Sequence, residues 1–367
     1  MQRIGLLIIC LLLVSACMGS DQFGVDASEV FKPCDKAALK AAATGHGMQH
    51  VFEACGSNEF KDFAWSADGA DLYIRGEAGP WLRRNASGEF YSLPLGKPLG
   101  SVVWINGNLL AYPSPGKRSA EINIYDVEQR ALHLIGISQV EPNQLALGEA
   151  ADDVLFVARE AADKPRNIYR LSANTAAVEP AFSWLTPGPI HSFTYRRRSG
   201  PDSKGIACIG WKKEGTVSNT TCHQASNGEQ LWMFPHKTRA SVSKDGMFVM
   251  LEGDGPLIPA FKTPEAAASA PNYLPREVTP EGLWLYEVST AKEQYIKGLF
   301  GHSFQWYDAT NYWGSFLLWG FNEGHTNGNV IVGDFTGKLS EFGMDTSSAG
   351  KKAADPPAEA PAEKRGE

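Results

Sequence analysis

The chain lacks the loops and elbows that would name a chemistry outright. No G-x-S-x-G elbow occurs, so a nucleophilic serine on an α/β-hydrolase turn is excluded. Neither a Walker A loop nor G-x-G-x-x-G is present, which removes the common nucleotide-binding fingerprints and with them a nucleotide partner. Basic charge is in the minority: 34 Lys and Arg stand against 41 Asp and Glu, a net charge of −7 with a pI near 5.7. A nucleic-acid binder displays a basic face, so nucleic acid is not an expected partner. Cysteine is scarce at 6 in 367 residues, and no pair has the C-x-x-C spacing of a redox or zinc site. His46-Gly47-Met48-Gln49-His50 sets two imidazoles at i, i+4 but lacks the glutamate of H-E-x-x-H, and Gly47 weakens a helix there. These histidines read as exposed; no metal, cofactor or catalytic residue is expected.

What is present begins at the N-terminus. One positive charge, Arg3, precedes an apolar run from Ile4 to Val14, the length of a signal-peptide core and too short to span a bilayer. The run ends in Val14-Ser15-Ala16-Cys17, followed by a polar stretch. These residues resemble the lipobox of bacterial lipoproteins. The resemblance implies cleavage before Cys17, a diacylglyceryl group on its thiol, and attachment to a membrane through that lipid. Met18 rather than Asp follows, which in this family implies the outer membrane of a Gram-negative cell, facing the periplasm. Cys10 lies in the signal and Cys17 at the anchor, leaving Cys34, Cys55, Cys208 and Cys222; an even remainder in an exported chain suggests disulfides. Of the three connectivities, Cys34–Cys55 with Cys208–Cys222 joins sequence neighbours and is the one adopted.

The rest of the chain, 43% hydrophobic and long enough for a substantial core, repeats itself weakly. Hairpin-like pairs of apolar segments begin at Phe63, Val102, Leu145, Phe193, Ala240 and Phe304, several with turns of Gly, Asp and Asn. A second hairpin follows each, the last read as "VIVGDFTGKLSEF". With Leu82, Ile124, Ile168, Cys222, Trp284 and Ile331 as equivalent points, the steps are 42, 44, 54, 62 and 47 residues. A four-stranded propeller blade needs roughly 40–50. The 62-residue step contains a Pro- and Ala-rich insertion. The expectation is an all-β fold: a six-bladed β-propeller of four-stranded blades with a short disulfide-pinned N-terminal lid. The domains are then 1–16 signal, 17–58 lipid-anchored linker and lid, 59–343 propeller and 344–367 disordered tail; the tail is rich in Ala, Pro, Glu and Lys.

Trp65-Ser66-Ala67-Asp68-Gly69 and Val242-Ser243-Lys244-Asp245-Gly246 resemble the W-S-x-D-G turn of the Tol–Pal periplasmic propeller. Asp334-Phe335-Thr336-Gly337-Lys338 and Ser226-Asn227-Gly228-Glu229-Gln230-Leu231-Trp232 are similar to quinoprotein-type repeats, seen also in the lipoprotein propeller of the outer-membrane barrel-assembly machine. Both resemblances imply a propeller, and neither implies the quinone cofactor, because turn residues shape a blade without making a quinone site. The same turns depart from the sialidase Asp-box, whose glycine comes one position later and whose Thr-Trp is missing here.

Arg196-Arg197-Arg198 is the one basic run of the repeat region. It reads as a solvated strand end or as the dock for an acidic partner or lipid headgroup. Trp306, Tyr307, Tyr312, Trp313 and Trp319 read as core between blades, with a sugar-binding surface as the alternative. The functional expectation is a lipid-anchored envelope propeller that binds an envelope protein without catalysis. The alternative is an envelope enzyme acting on glycans, with carboxylates converging at the propeller axis.

Overall fold

A computed structural model describes residues 49–343 apart from connecting segments, of which the longest are 159–166, 255–280 and 319–328. The chain is an all-β propeller of four-stranded blades, and its first strand is out of place. β1 (Gln49–Cys55) does not pair with the strand that follows it but joins the last sheet, 274 residues further on by the Cys55↔Asn329 register.

The next four sheets are antiparallel meanders in chain order. The first holds β2 (Phe60–Trp65), β3 (Asp71–Gly76), β4 (Gly79–Arg84) and β5 (Phe90–Ser92). The second holds β6 (Val103–Trp104), β7 (Leu109–Pro115), β8 (Ala120–Asp126) and β9 (Ala131–Ile137). β10 (Leu145–Leu147), β11 (Asp153–Ala158), β12 (Asn167–Ser172) and β13 (Val178–Phe182) make the third. The fourth is β14 (Ile190–Arg196), β15 (Ile206–Lys212), β16 (Ser218–Gln224) and β17 (Gln230–Pro235). The remainder is one seven-stranded sheet of β18 (Lys237–Val242), β19 (Phe248–Asp254), β20 (Glu281–Glu287), β21 (Lys292–Trp306), β22 (Trp313–Leu318) and β23 (Asn329–Asp334), with β1 on its edge.

Five sheets therefore form the described fold, not six blades. The cause is β21, which at 15 residues runs unbroken where the expectation placed a boundary. Residues 292–300 pair with β20 and residues 301–306 with β22. The two parts of this sheet pack on each other: Phe248, Met250, Leu283 and Leu285 from β19 and β20 meet Phe304, Tyr312, Phe335 and Leu339. The twelfth hairpin is also corrected. After β23 the chain turns into α1 (Thr336–Glu341), and β1 occupies the edge that the "KLSEF" segment was expected to fill.

β1 also revises the lid. Residues 49–55 lie in a sheet, so His50 is on a strand opposite Gly333 and not on a helix with His46. Cys55 lies opposite Asn329, while Cys17, Cys34 and His46 lie outside the described residues. The described disulfide is in the body of the propeller: Cys208 and Cys222 face each other across β15 and β16 with Cα atoms 4.0 Å apart.

The core is a series of layers between neighbouring sheets. Tyr73 and Leu82 of the first sheet meet Trp104, Leu110 and Tyr125 of the second; Ile122 and Ile124 of the second meet Val154, Phe156 and Tyr169 of the third. Leu155 and Val157 then meet Phe193, Ile209 and Trp211, and the disulfide side of the fourth sheet meets Val249 and Leu251. Each fully buried Leu, Ile or Phe contributes about 1.5–3 kcal/mol, and these layers hold the second, third and fourth sheets on both faces. Trp306 packs against Phe304, Phe335 and Tyr312, and Tyr312 is buried, which places these two aromatics in the core.

The turn chemistry is visible at 243–248. Ser243 Oγ donates to Asp245 Oδ1 at 2.6 Å and accepts from the Phe248 N–H at 3.0 Å, while the Met247 N–H donates to the same carboxylate. Gly246 takes φ +78°, a conformation that favours glycine.

Candidate functional axial belt

The first strands of successive sheets, β2, β6, β10, β14 and β18, together with the second part of β21, line the propeller axis. Side chains near the starts of β2, β6, β10, β14 and β18, with Glu252 of β19 and Gln305 near the end of β21, form a belt of hydrogen bonds within and between sheets. The Val102 N–H donates to Asp62 Oδ2 at 3.1 Å, tying the second sheet to the first. Ser101 Oγ donates to Gln144 Oε1 at 2.7 Å, and Gln144 Nε2 donates onward to the His191 carbonyl at 3.1 Å. His191 Nε2 and Ser192 Oγ both reach the Thr238 carbonyl, at 3.0 and 2.6 Å. A carbonyl only accepts, so His191 Nε2 carries the proton in this arrangement. Thr238 Oγ1 donates to the Glu252 carbonyl at 3.3 Å. The Glu252 carboxylate accepts from the Ser303 and Phe304 N–H groups at 3.1 and 2.5 Å, and Gln305 Nε2 closes the circuit on the Phe63 carbonyl at 3.2 Å.

Local sequence explains how these side chains arrive. A register shift occurs just ahead of Asp62, Ser192 and Arg239, between Phe60/Asp62, Ile190/Ser192 and Lys237/Arg239. A bulge re-aims the side chain that follows it. Gly210 opposes Ser192 on β15, and a Cβ there would fall 2.1 Å from the Thr238 carbonyl oxygen and 2.2 Å from Ser192 Oγ. The close approach of the fourth sheet to β18 therefore requires glycine at this position.

Two oppositely arranged charge pairs sit in the belt. Asp62 and Arg75 are cross-strand partners on β2 and β3; Arg239 and Glu252 are partners on β18 and β19, with Arg239 Nε 3.7 Å from Glu252 Oε1. Asp62 is buried, and that desolvation pushes its carboxyl up to about 6 against the opposing pull of Arg75, the Val102 N–H and Arg239. Since Arg239 comes from β18 and acts on Asp62 of β2, its guanidinium bears on both carboxylates. Burial likewise raises Glu252, opposed by Arg239 and the two N–H donors. The Tyr73 phenol is pushed up by burial and then by the charge of Asp62. Its hydroxyl and the Arg75 Nε are buried without a hydrogen-bond partner among the described residues. His191 is lowered by burial, so it is neutral at neutral pH.

Chemically, the cluster offers two buried carboxyls, both raised by burial and both opposed by one guanidinium, and both also bonded to backbone N–H groups. The described residues contain no group of three or more His, Cys, Asp or Glu able to hold a metal, and no helix among them is long and apolar enough to cross a membrane. None of the belt residues stood out in the sequence. In "FKDFAW" and "KTRASV" the charged residue follows the in–out alternation of an ordinary half-exposed strand. The signal that could have found it is the pairing of opposite charges across the first hairpin of two different units.

The ring-closing hydrogen bond can be measured. Gln305→Leu removes the donor to the Phe63 carbonyl and should lower stability by about 1 kcal/mol in urea denaturation. An unchanged midpoint would show that closure does not use this bond.

No family model and no curated protein matches the chain. Solved structures do, at low identity. Hydrazine synthase from Kuenenia stuttgartiensis is 10% identical over 70% of this chain and 76% of that one, with a TM-score of 0.47. A TolB from Agrobacterium tumefaciens is 12% identical over 67% and 83%, at 0.43. Oligogalacturonate lyase from Vibrio parahaemolyticus is 9% identical over 78% and 93%, at 0.45. None of these carries a function to this chain.

Proposed function

We infer that the protein is a lipid-anchored β-propeller of the bacterial cell envelope, held at Cys17 on the outer membrane of a Gram-negative cell and facing the periplasm. It acts as a non-catalytic scaffold that docks another envelope protein. The observation that supports the reading is the use of the axial side chains: Asp62, Gln144, Ser192, Glu252 and Gln305 each bond to a neighbouring first strand or sheet. Groups spent in this way make a stiff ring, and a stiff ring presents loops on two faces to a partner. Crosslinking in detergent-solubilised envelope followed by pull-down should recover one protein reproducibly, attached at loops of one face. Recovery no different from an unrelated lipoprotein of equal abundance would sink the scaffold reading.

A second reading, an envelope enzyme acting on glycans, draws on Asp62 and Glu252, which adjoin the same Arg239. Its signature would be turnover of an envelope polysaccharide that Asp62→Asn abolishes.

The anchor has its own test. Cys17→Ser should abolish lipidation and leave the precursor uncleaved or release the protein into the soluble fraction. One acyl chain binds a bilayer only marginally, so stable attachment needs the several chains of a lipoprotein. An unchanged membrane fraction with an N-terminus other than Cys17 would refute the lipobox reading.

A further inference from the structure

We propose that an enclosed polar site beside the axis, bounded by Asp62, Tyr73, Arg75 and Arg239, holds ordered water that bridges the first sheet to β18. Neither the anchor nor the scaffold reading depends on it.

Strand register brings these side chains together. Tyr73 and Arg75 alternate on β3 and so share a face, and their partners on β2 are Ala64 and Asp62. That face meets the second sheet. Tyr73 packs with Trp104 and Leu110, Arg75 Nη1 donates to the Pro98 carbonyl at 3.5 Å, and Asp62 takes the Val102 N–H. Arg239 bears on the same Asp62 carboxyl from β18, a strand of another sheet.

Three donors are gathered here without acceptors. Tyr73 Oη, Arg75 Nε and Arg239 Nε are buried and have no hydrogen-bond partner among the described residues. Their neighbours are engaged elsewhere. Both Glu252 oxygens accept backbone N–H groups, and Oε1 stands 3.7 Å from Arg239 Nε, beyond hydrogen-bond reach. The Ala64 carbonyl already accepts from Trp104 Nε1 at 2.9 Å. Tyr73 is 0% exposed, so bulk solvent does not serve its hydroxyl. Buried donors in folded proteins are nearly always paired, and an internal water makes about three hydrogen bonds to groups of this kind. Opposite Tyr73 stands Ala64, whose methyl fills little of that face.

Size and charge select water as the occupant. Tyr73, Asp62 and Glu252 are all buried, which closes the site to anything much larger. The guanidiniums of Arg75 and Arg239 stand against the carboxyls of Asp62 and Glu252, so an added ion would carry uncompensated charge into a buried place. Water donates as readily as it accepts and therefore serves Asp62 in either protonation state. It also gives this buried carboxyl a neighbour through which its proton can leave.

Tyr73→Phe tests the site by the sign of its effect. Taking away a hydroxyl that is bonded to water loses that bond, so the folding equilibrium constant should fall about fivefold in urea denaturation. A hydroxyl with no partner is a buried cost, and deleting it would raise the constant instead. A rise, or no change, overturns the proposal. A crystal structure of the natural chain supplies a measurement that does not depend on the variant. Water is expected within about 3.2 Å of Tyr73 Oη and of Arg75 Nε. Protein oxygens in those positions would overturn the proposal. Crystals soaked in sodium bromide separate the occupants: an anomalous bromide peak at the donors would put an anion in the site and overturn the assignment of water, whereas water density unchanged by bromide supports it.

Discussion

Glu252→Ala is expected to cost about 3–5 kcal/mol, the largest loss of any single polar substitution in the ring. The carboxylate is buried, lies 3.7 Å from Arg239 Nε, and accepts the N–H groups of Ser303 and Phe304. Removing it takes the nearest carboxylate from a guanidinium that is itself largely buried and leaves it only the more distant pull of Asp62, and breaking one side of such a pair costs far more than the pair contributes. The two N–H groups lose their acceptor in the same step, each a further desolvation cost if no water replaces it. Those amides sit where β21 bends from its pairing with β20 to its pairing with β22, so the damage falls on the joint of the seven-stranded sheet. Glu252→Gln keeps an acceptor and loses the charge. Because burial already works against ionisation here, the amide should retain most of the stability. Urea denaturation of both variants is the check. A Glu252→Ala loss below about 1 kcal/mol would mean that the belt does not hold this joint.

How much of this could be seen in the sequence depends on whether the cause was local. The turn at 242–246 was legible because its chemistry lies within five residues: Ser243 holds the N–H of Phe248, five positions on, as Ser66 holds that of Asp71. The Cys208–Cys222 pairing was legible for the same reason, since the two cysteines are sequence neighbours, and they face each other across β15 and β16. The boundary inside 292–306 was not legible. Gly298 and Gly301 look like punctuation there, yet packing of Phe304 against Phe335 and Trp306 carries the strand through. β1 was missed for the opposite reason. "QHVFEAC" was expected to belong to a disulfide-pinned lid, whereas it is claimed as a strand by a partner far away in the chain. Buried charge was the hardest to see, because Asp62 and Arg239 acquire burial only when the ring closes around them.

Asp62→Asn should remove about 3 kcal/mol of pH-dependent destabilisation. The folded carboxyl is held up at about 6 from its ordinary 3.8 because burial outweighs Arg75, Arg239 and two backbone N–H donors. The folded state therefore binds this proton more tightly than the unfolded chain does. Stability is fully present below about 4 and is lost as pH rises through 6, which is the reverse of a salt-bridged aspartate. The separation of the two values corresponds to about 3 kcal/mol across that window. An asparagine cannot ionise, and its side-chain oxygen can still accept the Val102 N–H. The stability difference between the two chains should accordingly shift toward the variant by about that amount between pH 4 and pH 7. Glu252, raised for the same reason, titrates in both chains and cancels in the comparison. Chemical denaturation at a series of pH values measures it. A difference that stays flat, or that moves toward the natural chain as pH rises, would show that Arg75 and Arg239 compensate Asp62 fully and that the axis carries no net electrostatic strain.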